Sequence, residues 1–200
     1  MARTRDLDEQ QSRLSAATWA VLAEHGVRGL TLRAVAERAG CTTGLVLHAF
    51  PGKQALLAHA RQLLHDRTRA RADAVEASGA PPLQVLREVL AHAASLTPQA
   101  RDEARIWVSF LAEGLSDAAL GRQHVGHNRA FLDRIARLVA ACRPEWDAAA
   151  CRAEATSLVA LVEGLNTLAA LDPESYDEQA QHAALDGALA RVGASDPLGV

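Results

Sequence analysis

Apolar residues return every three to four positions along most of the chain, and nowhere do they alternate at the two-residue period of a half-buried strand. The pattern predicts an all-α chain of about nine helices. The first runs from about Asp8 to His25, with Leu14, Ala17, Val21 and Leu22 on its inner face and Gly26 at its end. Two short helices follow within residues 31–50. A long one starts at Lys53 and reaches about Ala77, burying Leu56, Leu57, Ala60, Leu63 and Leu64 in its first half and turning polar from Arg67 onward. Ser78-Gly79-Ala80-Pro81-Pro82 is the clearest breaker in the chain. Beyond it the pattern predicts helices at roughly 82–96, 99–115, 117–142, 147–171 and 177–192, punctuated by Pro98, Gly114 with Asp117, Pro144 and Asp172-Pro173.

The stretch Thr31–Lys53 is the most specific part of this pattern. Leu32, Val35, Ala36 and Ala39 share one helical face, Val46, Ala49 and Phe50 share another, and Ala39-Gly40-Cys41 separates them. Two short helices around a glycine turn are the sequence form of a helix-turn-helix. Gly40 supplies the positive φ the turn needs. Ala36 is small enough for two helix backbones to cross closely. Thr31 suits the N-cap of the first helix, and Thr42 or Thr43 that of the second.

Charge sharpens the division of the chain. The net charge is -3 overall, which argues against a protein that binds nucleic acid over its whole surface. Residues 1–55 nevertheless hold seven bases and five acids, leaving 14 bases and 19 acids for the remainder. That asymmetry fits a DNA-facing head, residues 1–55, on an acidic helical body, residues 56–200. Residues 1–7, with Arg3 and Arg5, lack an apolar period and read as a loose arm. Cys41, Cys142 and Cys151 are odd in number and scattered, as expected of free thiols in a reducing compartment. No apolar run approaches 18 residues and no signal peptide is recognisable, so a cytoplasmic protein without a membrane segment is expected.

In the body, polar residues fall on stripes that should be buried. His124 and Asn128 continue the stripe Phe131, Ile135, Leu138, Cys142, and His92 falls in register with Val85, Val89 and Leu96. Thr156, Val159, Glu163, Asn166 and Ala170 form one face of the 147–171 helix. Leu158, Leu161, Val162, Leu165, Leu168 and Ala169 form another, which with Ala160 and Gly164 suits a partner helix from a second copy. A buried Glu163 must pair, become neutral or meet a ligand. Trp107 and Phe110, three apart, share a face that suits the wall of a pocket. His92, Trp107, Phe110, His124, Asn128, Glu163 and Asn166 are therefore the candidate ligand-binding residues, although each polar member also suits a satisfied core hydrogen bond. His124 and His127 are spaced to share a metal, but no third ligand follows, and no metal or cofactor is called for. With no nucleophile elbow, P-loop or dinucleotide fingerprint, an enzyme is not expected.

Ala16, Ala17, Gly26, Thr31-Leu32, Val35-Ala36, Ala39-Gly40, Thr43-Gly44, Phe50, Lys53 and Leu56-Leu57 together resemble the DNA-binding domain of the TetR family of bacterial transcriptional regulators. The C-terminal half is more weakly similar to the BetI-like subgroup, through Trp107 to Leu115, then Asp117, and through Leu161-Val162-Glu163-Gly164-Leu165 to Leu171-Asp172-Pro173-Glu174. The resemblance implies a ligand-responsive regulator, a repressor released from a palindromic double-stranded operator by a small-molecule effector. It also implies a homodimer through the last two helices. By the family pattern, Thr31 and Lys53 take phosphate positions, with Arg33 as a further base in the same motif. Thr42, Thr43, Leu45, Leu47 and His48 take the groove-facing part of the recognition helix. Lys53 has an independent reason to be read this way, since a cation at a helix N-terminus is disfavoured by the dipole unless an outside anion meets it.

The chain departs from the pattern at Leu47, where the family usually has tyrosine, and at Ala49, where it has an aromatic or histidine. Leu47 cannot hydrogen-bond a phosphate, but it can touch a thymine methyl. The departures leave open an alternative, a dimeric small-molecule sensor or adaptor whose head no longer binds DNA.

Overall fold

The structure, a computed structural model, describes residues 2–193, apart from the side chains of residues 2–8, 98 and 99. The helices are α1 (Ala2–Gly29), α2 (Leu32–Ala39), α3 (Thr43–Ala49), α4 (Lys53–Glu76), α5 (Pro82–Ala93), α6 (Pro98–Ser116), α7 (Ala118–Cys142), α8 (Ala148–Leu171) and α9 (Glu178–Gly193). No strand occurs among the described residues. The all-α expectation holds, and the helices from α4 onward begin and end within about three residues of their expected bounds.

The N-terminus differs from expectation. α1 starts at Ala2, where a loose arm is expected, because Ala, Arg and Leu are good helix formers and extending an existing helix requires no new nucleus. The side chains of Arg3 and Arg5 lie outside the described residues. Gly26, at φ 64° and ψ -174°, breaks α1 where the sequence pattern places its end, and one further turn follows it.

The chain forms two compact units. Among the described residues, the first comprises residues 2–67 together with Ile106–His124, and the second Thr68–Arg105 together with residues 125–193. In the first, Leu14, Val21 and Leu22 of α1 pack with Leu30, Val35, Val46, Phe50, Leu56 and Leu64, and Ile106, Phe110 and Leu120 join the same core. Thr18, fully buried, donates its hydroxyl to the Leu14 carbonyl 2.8 Å away, so this hydroxyl is not stranded in the core.

The second unit is built around Leu86, Leu90, Ile135, Val139, Leu158, Val162, Leu185 and Leu189. Gln181, fully buried, accepts from Ser95 Oγ at 3.0 Å and donates to the Tyr176 carbonyl at 2.8 Å, which ties the start of α9 to the end of α5. The distal half of α4, expected to be a polar strut, buries Ala72 and Val75. Its charges are engaged: Arg134 pairs with Asp73 and Glu76, and Arg71 with the buried Glu103. The two buried residues lie three apart among four apolar ones, Ala70, Ala72, Ala74 and Val75, three of them only alanine, too weak a pattern to show a buried face.

Candidate nucleic-acid interface and effector residues

The helix-turn-helix forms as its residues dictate. Thr31 caps α2, its Oγ1 accepting the Ala34 N–H at 3.1 Å, and Gly40 ends α2 in the left-handed conformation at φ 62°, ψ 41°. The Gly40 and Cys41 N–H groups close the turn onto the Glu37 and Ala36 carbonyls at 3.2 and 3.0 Å. Of the two candidate caps for α3, Thr42 takes the role, its Oγ1 accepting the Leu45 N–H at 3.3 Å. Val35, Ala36, Ala39, Val46 and Phe50 are buried, while Leu32 and Ala49 are half-buried.

These burials leave Thr42, Thr43, Gly44, Leu47 and His48 exposed on α3 and its cap, with Leu45 half-buried. Thr31, Arg33 and Lys53 are also exposed. The capping hydroxyls of Thr31 and Thr42 accept from the backbone, so each keeps its O–H to donate to an acceptor outside the chain. Lys53 is the first residue of α4, where its charge opposes the helix dipole. The set offers cations and hydroxyl donors around one short apolar and polar strip.

The expected effector residues are divided between the two units. In the first, Trp107 is half-buried and Phe110 is buried in the core. The ring of Trp107 lies 5.2 Å from that of His124, and the guanidinium of Arg61 lies 4.0 Å from the Trp107 centroid. Burial, and then the positive charge of Arg61, lower the pKa of His124, which favours its neutral form. Its Nδ1 is buried without a hydrogen bond. Arg61, only 1% exposed, is a residue that the sequence pattern does not single out. Its position, four after Leu57 and three before Leu64, was the available signal.

In the second unit, Asn166 is buried and donates to the Ala93 carbonyl at 2.9 Å, while its Oδ1 is buried without a partner. Asn128 and Glu163 are half-buried. His92 departs from expectation. It is exposed, because the buried arc of α5 centres on Val85, Leu86, Val89 and Leu90, with His92 beyond its edge. Thr156 is exposed as well and donates its hydroxyl to the Arg152 carbonyl. Of the aliphatic face of α8 expected to meet a partner helix, Leu158, Val162, Leu165 and Ala169 are buried in the single chain, Leu161 is half-buried and Leu168 is exposed. Among the described residues no cluster of three His, Cys, Asp or Glu side chains could hold a metal ion.

A cation-flanked helix-turn-helix on an otherwise helical chain is the architecture of a DNA-binding transcriptional regulator. Sequence comparison agrees in both halves: the family described as "Bacterial regulatory proteins, tetR family" matches residues 14–60, and "BetI-type transcriptional repressor, C-terminal" matches residues 82–194. The chain belongs to the TetR family of transcriptional regulators, with a BetI-type C-terminal part. It is 31% identical over 173 residues to the HTH-type transcriptional regulator BetI of Paraburkholderia phymatum, covering 86% of each chain. It is 32% identical to that of Burkholderia thailandensis, over 86% of this chain and 87% of the relative. Among solved structures, a transcriptional regulator from Rhodococcus sp. Rha1 superposes with a TM-score of 0.79 at 26% identity, over 92% of this chain and 98% of that one. A putative regulator from Saccharomonospora viridis, solved in complex with choline, has the same fold, with a TM-score of 0.80 at 18% identity over 90% and 95% of the two chains. No helix among the described residues is long and apolar enough to cross a membrane.

Proposed function

We propose that this regulator is a cytoplasmic, non-enzymatic repressor that binds a palindromic operator as a homodimer and is released by a small molecule. Thr31, Arg33 and Lys53 are the proposed phosphate contacts, and Thr42, Thr43, Leu45, Leu47 and His48 the groove-facing set. The observation that carries the reading is Lys53, exposed on the first turn of α4, where an external anion would offset its unfavourable position.

The effector residues proposed are Trp107, Phe110, His124, Asn128, Glu163 and Asn166, with His92 at an exposed margin. Arg61 bears on what they bind. Its guanidinium already covers a face of Trp107, so a choline-like cation can stack on that face only if Arg61 moves away. For the dimer, the proposed surface is a strip of α8 and α9: the exposed Ala160, Leu168 and Leu171 with the half-buried Gly164 on the first, and the exposed Ala183, Gly187 and Ala190 on the second.

The deciding experiment is a salt series of gel shifts on the DNA upstream of the protein's own gene, with wild type and Lys53→Ala. Lys53→Ala should weaken binding across all sequences and make the salt slope shallower by about one counterion. A metabolite that raises the melting temperature should in turn release the wild-type complex. Equal and negligible binding by both proteins would favour the alternative, a sensor whose head no longer reads DNA, which the apolar Leu47 on the recognition helix also suits.

A further inference from the structure

The outward strip of α3 has a composition its own chain does not explain. Thr43, Gly44, Leu47 and His48 face out, and Leu47 is 50% exposed, a large aliphatic side chain in water on a seven-residue helix. Gly44 is equally unexplained from within. A Cβ placed there would meet only Thr42 Oγ1, at 3.9 Å, an ordinary contact, and its φ is not in the left-handed region. Glycine is among the poorest helix formers, and nothing in the fold requires it at this position. An exposed leucine and an unneeded glycine three residues apart lie side by side on the helix surface. Together they make a shallow apolar step, bare at Gly44 and walled by the Leu47 isobutyl group, between the polar side chains of Thr43 and His48.

We infer that Gly44 and Leu47 form a slot that receives the 5-methyl group of thymine, so that this regulator recognises part of its operator by methyl contact. The inference rests on the reading that α3 faces DNA. Within the major groove the thymine methyl is the one apolar feature that distinguishes base pairs, and aliphatic side chains are the groups that detect it. The surroundings fit a duplex and not an apolar protein partner. Arg33 and Lys53 are exposed cations on the neighbouring elements, and the hydroxyls of Thr31 and Thr42 keep a proton to donate to phosphate. Leu45 is left out of the slot because it is half-buried.

The test removes the methyl and nothing else. An operator selected from random duplexes by the wild-type protein is resynthesised with each thymine replaced singly by deoxyuridine, and affinity is measured by fluorescence anisotropy. At one or two positions per half-site the wild type should lose about fourfold, the amount expected for one buried methyl. Leu47→Ala should bind the thymine operator more weakly and be indifferent to uracil at those positions. Gly44→Ala, whose added methyl fills the slot, should recover part of its lost affinity on the uracil operator. Both substitutions are at exposed positions, and circular dichroism melts establish that the variants fold. An equal uracil penalty in wild type and Leu47→Ala, or no thymine-sensitive position, overturns the slot while leaving the regulator reading intact. Failure to select any preferred sequence overturns both.

Discussion

His59 sits where the recognition helix is anchored. Its Nε2 lies 3.0 Å from Ser15 Oγ on α1, and its ring lies 4.8 Å from that of Phe50, the C-cap of α3. Burial lowers its pKa from the ordinary value, outweighing the opposite pull of Asp66. His124 is shifted the same way, by burial and then by Arg61. For a base, a lowered native pKa means that the unfolded chain binds the proton more readily. These two residues therefore cost no stability above about pH 6.5, and they destabilise the fold increasingly as pH falls below that value. The carboxyls of Glu145 and Asp172 are lowered from values near 4 and act at lower pH. The range just below about pH 6.5 is where these two histidines act. Melting temperature should fall across it in the wild type and fall less in His59→Gln. Parallel pH profiles for the two proteins would show that His59 carries none of the effect.

At the scale of elements, α6 and α7 meet at a crossing made of two glycines. A Cβ on Gly121 would lie 2.7 Å from the Gly114 carbonyl oxygen, and one on Gly114 would lie 3.4 Å from the Gly121 Cα. Both obstacles are backbone, so neither can swing aside. Gly121→Ala should destabilise the protein by roughly 1–3 kcal/mol in urea denaturation, the usual cost of overpacking. Gly126→Ala on the same helix, with nothing near its Cβ, should be neutral or stabilising by up to about 1 kcal/mol. The helices themselves were legible because their apolar period is long and regular, and because Gly26, Gly40 and Pro82 mark ends that the backbone respects. The glycine crossing was not, because a glycine chosen for close approach leaves the same trace in a sequence as one that breaks a helix. In the candidate site, exposed α3 residues could be found by subtracting the buried ones. Arg61 could not be placed over Trp107, since that contact joins residues 46 positions apart through the packing of α4 and α6. His92 was misplaced for a related reason. A stripe counted along one helix gives spacing, but the centre of its buried arc depends on which neighbours cover it.

At the scale of the whole molecule, the proposed assembly rests on the exposed faces of α8 and α9. Leu171 is 86% and Leu168 44% exposed, and Gly164 and Gly187 have open space where a Cβ would stand. A mid-helix glycine with room for a Cβ costs about 1 kcal/mol relative to alanine with no return inside one chain. A partner helix approaching closely would supply that return by burying the leucines against the small residues Ala160, Ala183 and Ala190. Most of the aliphatic side of α8 is covered by its own unit, so the proposed interface uses this smaller strip. Leu168→Asp combined with Leu171→Asp should then shift the protein from dimer to monomer in sedimentation equilibrium, with little change in helicity because both side chains are exposed in the single chain. Two linked heads bind a two-fold operator far more tightly than one, by a factor on the order of 10² or more when geometry allows both to engage. The double variant should therefore lose operator affinity by that order while keeping its affinity for an isolated half-site. A double variant that sediments as a dimer would place the interface elsewhere. One that becomes monomeric yet binds the full operator unchanged would separate dimerisation from DNA recognition.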